Sequence, residues 1–428
     1  MLNVSVGLLL AILALGVPVA AGLIFLALIL ANLYSPMPLW FAFGELAWGT
    51  SAEFNLFAIP LYILLGEILL RSGISERMYQ AIAQWLSRLP GGLMHANIGF
   101  STVFAAMSGS SVACAATLGT IANPLVKRYG YNEPLFLGTI AAGGALGILI
   151  PPSIPLIIYG VLTETSIPKL YLAALIPGLL LAVLFSLTVA VCTLMRPAWG
   201  GQSVPSNWRM RLAVLPDLVP PLLIFSAVIG AIYTGWATPT ESAALGVLMA
   251  IILAGVRRRL SFSMLLDAGE ATVGTTAMIV LIVVAAFLLN FVLSAIGLSQ
   301  IVTDLFAQSG MSPTALILTA IVFFLVLGMF MESLSMLIAT VPLVIPAIMA
   351  AGIDKVWFGV LMMILLETAL LTPPIGINLF VVQSTRVSGN IKDVIYGSLP
   401  FVVTMLLMAL LLVFFPEIAL WLPSVFEG

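Results

Sequence analysis

Apolar residues run in long blocks along this chain, and the polar positions that separate them are few and clustered. A bilayer core requires roughly 20 apolar residues per helix. Blocks of that order extend approximately from Ser5 to Leu33, Phe54 to Leu70, Tyr171 to Met195, Val214 to Tyr233, Ser242 to Val256, Thr272 to Ala295 and Ile391 to Leu420. Each predicts a membrane-spanning helix, because other open structures leave backbone groups unsatisfied in hydrocarbon. Met1 to Val6 carries no basic residue, and the first run is too long for the apolar core of a secretion signal, so it reads as a retained helix. The fold class is an all-α polytopic membrane protein.

Between these blocks lie interrupted segments. About fifteen apolar residues from Leu93 to Met107 lead into Ser108-Gly109-Ser110-Ser111, and about fifteen more follow to Val126. At 1.5 Å per residue each arm reaches about 22 Å, short of the roughly 30 Å core. Two short arms around a small polar tip predict a re-entrant hairpin. A second follows the same plan, from Ala315 to Met329, through a tip at Glu332-Ser333-Leu334-Ser335, and back to Met349.

After each hairpin comes a helix interrupted by a double proline: Pro151-Pro152-Ser153 in one, and Thr372-Pro373-Pro374-Ile375-Gly376-Ile377-Asn378 in the other. Proline removes an amide donor and blocks the carbonyl four residues earlier, so two together break the helix. The freed carbonyls, with Ser and Thr hydroxyls, suit a dehydrated alkali cation where irregular backbone lines a cavity.

A shift of about 222 positions carries Pro151 onto Pro373, Pro124 onto Pro346 and Gly130 onto Gly352, and small gaps then align Lys169–Pro177 with Lys392–Pro400. The chain is an internal repeat. Connections in the first copy are basic (Arg71, Arg77, Arg88, Lys127, Arg128), whereas those of the second hold Asp304, Asp354 and only Lys355. By the positive-inside rule the copies have opposite orientations, an arrangement typical of secondary transporters. Each copy also has an amphipathic stretch before its hairpin: Met78, Ile82, Trp85, Leu86 and Leu89 in one, Leu298, Ile301, Val302 and Leu305 in the other. These predict either helices along the membrane surface or ordinary connections packed on the bundle.

Composition narrows the function. Of 428 residues 62% are apolar and only 7% charged, too few to cover a soluble globule. A formal charge of −2 excludes a nucleic-acid binder. One histidine, His95, and two unpaired cysteines, Cys114 and Cys192, exclude a His-rich or zinc centre, and no phosphate-binding loop is present. No organic cofactor is expected. With Arg257, Arg258 and Arg259 inside, alternation places the N-terminus in the cytoplasm and the C-terminus in the periplasm. The chain divides into 1–53, an N-terminal span and external loop; 54–195, the first inverted repeat; 196–271, connecting spans with basic cytoplasmic loops; and 272–428, the second repeat.

Phe57-Ala58-Ile59-Pro60-Leu61, Leu65-Gly66-Glu67-Ile68, the Ser108 to Ala113 tip, Ile150 to Pro155 and Gly328-Met329-Phe330-Met331-Glu332 together resemble the large membrane subunit of the tripartite ATP-independent periplasmic (TRAP) transporters, over nearly the whole chain. The resemblance implies a sodium-driven importer of the elevator kind in the bacterial inner membrane. A periplasmic substrate-binding protein would deliver a small organic anion, a carboxylate or sulfonate, and a small TRAP membrane subunit would brace the scaffold. It also implies ion and substrate sites at Ser108, Gly109, Ser110, Ser111, Pro151, Pro152 and Ser153 in the first copy, and at Glu332, Ser333, Ser335, Thr372, Pro373, Pro374, Gly376 and Asn378 in the second. Sodium would draw its ligands from Ser108, Ser110, Ser111, Glu332, Ser333 and Thr372. Cys114 departs from the acidic or hydroxyl residue that many relatives place there.

Three other readings compete. A stand-alone ion-coupled anion symporter would need no binding protein. A membrane-embedded enzyme would need a nucleophile with a base or a metal cluster, and no such arrangement stands out. A channel fits paired hairpins and breaks less well than alternating access does. Three glutamates within apolar surroundings are functional suspects, Glu67, Glu332 and Glu367. A structural pair with Arg71 accounts better for Glu67, Glu367 either braces a hairpin or touches an ion, and Arg386 reads as a cytoplasmic anchor.

Overall fold

The computed structural model describes residues 2–35, 38–202, 204–298, 300–301, 303–304 and 310–427. These residues form helices joined by short turns, with no strand among them. Among the described residues, seven helical segments are long and apolar enough to cross a bilayer.

One group of helices packs together: α1 (Leu2–Ala14) on α2 (Val19–Tyr34), then α3 (Phe43–Ser51), α4 (Ala58–Arg71), α11 (Trp208–Tyr233), α12 (Pro239–Val256) and α13 (Phe262–Ala295). The Tyr62 hydroxyl donates to the Pro239 carbonyl at 3.1 Å and ties α4 to the head of α12. The amphipathic α5 (Ile74–Leu86) buries Met78, Tyr79 and Ile82, and packs on both α11 and the first hairpin. Its opposite face exposes Glu76, Arg77 and Gln80, an arrangement that both readings of this stretch allow. In the second copy, Val302 and Leu305 lie outside the described residues.

The second group holds the repeats proper. Hairpin 1 is α6 (Leu93–Ser108) and α7 (Ser111–Tyr129); its broken helix is α8 (Glu133–Gly144), a tight turn at Ala145–Ile148, and α9 (Ile154–Thr163); α10 (Ile167–Met195) follows. The second copy repeats the order with hairpin 2, α14 (Pro313–Gly328) and α15 (Ser333–Ala350), a broken helix of α16 (Lys355–Leu370) and α17 (Ile377–Ser384), and α18 (Ile391–Phe414), before the terminal α19 (Glu417–Glu427). The return arms have 19 and 18 residues, longer than the apolar pattern predicted. What makes these elements hairpins is the position of their tips, described below, not the length of their arms.

The copies interlock head to tail. The end of α9 meets the start of α16, where the Tyr159 hydroxyl donates to the Lys355 carbonyl at 2.7 Å and Lys355 Nζ donates to the Thr163 carbonyl at 3.0 Å. The end of α17 meets the start of α8 through Arg386 and Glu133. Each broken helix therefore begins where the other ends, as antiparallel copies require. The closest approach is between α8 and α18, where a Cβ on Gly138 would land on the Gly397 carbonyl, so only glycine allows these backbones to touch.

Two predicted spans are corrected. Ser5 to Leu33 is not one helix: the chain breaks between α1 and α2, where Gly16 has φ of +67° and Pro18 starts the next helix. Ile391 to Leu420 likewise divides at Pro416, which separates α18 from α19. The segment from Tyr34 to Glu53, expected as an external loop, contains a short 3-10 turn and α3.

Candidate functional site

Each hairpin tip rests on the break of its own copy. Gly109 caps α6 in the left-handed conformation, with φ of +57°, and a Cβ there would lie 3.0 Å from the Pro152 carbonyl oxygen. Glycine is thus required twice, by the turn and by the contact. The backbone then reverses. Ser110 is the N-cap of α7 and its hydroxyl accepts from the Ala113 amide at 3.3 Å; Ser153 is the N-cap of α9 and accepts from the Leu156 amide at 3.4 Å. Two helix N-termini therefore begin beside one another, and their amides and dipoles favour negative charge. In the second copy, the Ile375 amide donates to the Met329 carbonyl at 3.4 Å. Glu332 is the N-cap of α15, and its carboxylate accepts from the Leu334 and Ser335 amides, both at 3.0 Å.

A cavity of about 160 Å³ lies where the two tips approach. Ser108, Gly109, Ser110 and Ser111 line it from hairpin 1, Glu332 and Ser333 from hairpin 2, and Ile154 with Pro155 from the start of α9. Gly66 and Glu67 of α4 and Thr275 of α13 complete the wall from the other helical group. The Ser108 and Ser333 side chains are buried and their hydroxyls have no partner. Unsatisfied buried hydroxyls are costly, and both of these stand at the wall of the cavity. Among the described residues lining this cavity none is Lys or Arg.

The remaining candidates divide. Pro151, Pro152 and Ser153 are fully enclosed, and their link to the tip is the Gly109 contact. Pro374 is exposed at the second break; Pro373 and Thr372 are half-buried, and the Thr372 hydroxyl donates to the Thr368 carbonyl at 2.7 Å. Ser335 is buried beneath the Glu332 cap. Gly376, with φ of +27°, opens α17. Asn378 is fully buried with an unpartnered amide and lies not at hairpin 2 but beside Gly144, close to the Ser111 carbonyl. Neither Thr372 to Gly376 nor Asn378 lines the cavity between the tips.

Several side chains have purely structural partners. Glu67 pairs with Arg71. His95 is buried between Ser186 of α10 and the Pro90 carbonyl, which ties the base of hairpin 1 to its neighbour. No group of three or more metal-binding side chains occurs among the described residues. A larger cavity, about 810 Å³, lies between α3 and the end of α9, lined by Glu45, Glu53 and Glu164 without a basic residue.

One contact was not anticipated. The Ser111 hydroxyl at the hairpin 1 tip donates to Glu367 Oε1 of α16, across the two copies. The only signal in the sequence was an acidic residue in an apolar run; its partner lies 256 residues away.

Paired hairpins, paired helix breaks and an internal two-fold relationship define a membrane transport protein. Residues 6–418 match the family model described as the DctM component of the tripartite ATP-independent periplasmic transporter, and the chain belongs to that family. It is 34% identical to the sialic acid TRAP transporter large permease protein SiaM of Vibrio cholerae, over 96% of each chain. It is 32% identical to the C4-dicarboxylate TRAP transporter large permease protein DctM of Pseudomonas aeruginosa, covering 88% of this chain and 87% of that protein. In fold it is similar to the YdaH transporter of Alcanivorax borkumensis, with a TM-score of 0.64 at 15% identity over 94% of this chain and 98% of that one. The protein is a TRAP transporter large permease, a multi-pass membrane transport protein and not an enzyme.

Proposed function

We propose that this permease imports a small organic anion, of the carboxylate or sulfonate class, by coupling it to sodium entry. The observation that carries this reading is the cavity between the hairpin tips, which offers helix N-termini, hydroxyls and two carboxylates, Glu67 and Glu332, but no basic side chain. An anion there needs countercharge, and bound cations supply it. Sodium would bind at Ser108, Ser110 and Ser111 against the Pro151-Pro152 break, and at Glu332, Ser333 and Thr372 near the second.

The energetics allow concentrative uptake. One positive charge moving inward down 100 mV yields about 2.3 kcal/mol, so two ions yield about 4.6 kcal/mol before the concentration term. A thousandfold gradient of a neutral solute costs about 4.1 kcal/mol, and a dianion requires more sodium. Movement would be of the elevator kind, with the repeat group sliding against the α4, α11, α12 and α13 group. Glycines bound the linking α5 at both ends, Gly73 with φ of +72° and Gly91 and Gly92 with φ of +108° and +50°. The C-terminus would be periplasmic.

A periplasmic binding protein and a small membrane subunit complete the proposed system. Uptake into proteoliposomes holding both membrane subunits is the test. The reading expects transport only with a sodium gradient and the loaded binding protein. Equal uptake from potassium medium would overturn the coupling, and equal uptake without the binding protein would favour a stand-alone symporter.

A further inference from the structure

A cavity of about 600 Å³ lies between the linking helix α5, the return arm of hairpin 1 and the start of α11. Its walls differ in chemistry. Glu76, Gln80 and Gln84 stand four residues apart on α5 and form one polar ridge, because that spacing brings side chains to one helix face. Across from them, Ile121, Leu125 and Arg128 line the cavity from α7. Met210, Ala213 and Val214 of α11 add an apolar third side.

Depth gives this arrangement a direction. α7 runs from the hairpin tip to a basic last turn, Lys127 and Arg128, which marks the cytoplasmic surface on the orientation of hairpin 1 expected above. From Ile121 to Arg128 the helix rises about 10 Å. The α7 wall is therefore apolar toward the membrane interior and charged at the level of the head groups, as a phospholipid of the cytoplasmic leaflet requires.

The charges on the walls are not compensated within the protein. Among the described residues neither Glu76 nor Arg128 has an ion-pair partner, although both line the same space. The Arg128 guanidinium lies over the Tyr129 ring, 5.6 Å from its centroid, and Gln84 Oε1 is buried without a donor. One guanidinium and one carboxylate sum to zero, which suits a head group that carries both signs. Guanidinium matches phosphate oxygens in a planar fork. A primary ammonium has three N–H donors to offer a carboxylate and amide oxygens. A trimethylated ammonium has none, and a head group with phosphate alone leaves Glu76 facing like charge.

We propose that this cavity binds a membrane phospholipid with an ethanolamine head group, its phosphate on Arg128, its ammonium donating to Glu76, and its chains against Ile121, Leu125 and Val214. Glu76 and Arg128 stand on opposite sides of the seam between the linking helix and the repeat group, so the bound lipid bridges it. The site shares no residue with the sodium sites proposed above, and its failure would leave the transport reading untouched.

Native mass spectrometry of the purified full-length protein, stripped of lipid and titrated with dioleoyl lipids that differ only in head group, tests this. The ethanolamine lipid should bind about fivefold more tightly than its choline and glycerol counterparts. Arg128→Gln should weaken it about tenfold, the worth of one charged hydrogen-bonded contact. Glu76→Gln should remove the preference for ethanolamine over choline and glycerol. Both side chains are exposed and unpaired, so the variants should melt with the wild type, and Arg259→Gln, away from the cavity, should bind like the wild type. Equal affinity for the three head groups, or an unchanged preference in both cavity variants, would overturn the proposal. Glycerophosphoethanolamine, the head group without its chains, should compete only at concentrations about a hundredfold higher, since buried methylenes carry much of the binding. Competition at equal concentration would overturn the lipid as occupant in favour of a soluble phosphoester.

Discussion

Arg386 and Glu133 stand 253 residues apart in sequence and 2.8 Å apart in space. The shift of about 222 that relates the copies carries Glu133 to Lys355 and Glu164 to Arg386, so the corresponding positions at the other end of the repeat group carry exchanged charges. There Lys355 binds the carbonyl of Thr163, next to Glu164. Inverted copies thus close both ends of the repeat group with a related contact.

The Arg386 side chain is only 4% exposed and also binds Asp393 at 3.1 Å, the Gln383 side chain and the Asn390 carbonyl. It anchors the chain to itself and does not wait for an anion. Arg386→Ala should cost about 1–3 kcal/mol, since two carboxylates lose a shared buried cation. Arg386→Lys should recover little, because a point charge cannot replace a planar fork with four partners. Thermal unfolding in detergent reads both, and full recovery by lysine would contradict the account.

At the α8–α18 crossing, Gly138→Ala forces the helices apart, because the new methyl meets the Gly397 backbone. Overpacking of this kind costs about 1–3 kcal/mol or more. Gly130→Ala has open space around it and should cost about 1–2 kcal/mol, from its φ of +65° alone. Comparing the melting temperatures separates the causes; equal losses would mean that the close crossing does not matter.

Ser110→Ala and Thr372→Ala each remove one hydroxyl from a tip or break. Either should weaken sodium binding about five- to tenfold, the worth of one such interaction, with membrane insertion intact. Isotope binding checks it, and unchanged sodium affinity in both variants would remove these residues from the proposed sites.

Much of the repeat architecture could be read in advance because its markers are local. Pro151-Pro152 and Pro373-Pro374 break their helices, although Pro220-Pro221 is accommodated inside α11, and Ser108 to Ser111 forms a turn by its own composition. The same local logic, pressed too far, joined α1 to α2, since Gly16 and Pro18 are weak interruptions beside so many apolar neighbours. Contacts made across the copies left no such trace. Nothing in sequence spacing links Ser111 to Glu367, or Gly138 to Gly397, because each pair is brought together only when two antiparallel units dock. Asn378 shows the same limit. Its motif belongs to the second break, whereas its side chain lies beside Gly144 in the first copy.

The account depends most on the opposed orientation of the two copies. Single cysteines at Lys127 and Met349, exposed and related by the repeat, can be introduced in a background lacking Cys114 and Cys192 and labelled in intact cells with a membrane-impermeant maleimide. Labelling from outside at position 349 and only after permeabilisation at 127 is the predicted result; labelling of both from the same side of the membrane would contradict it.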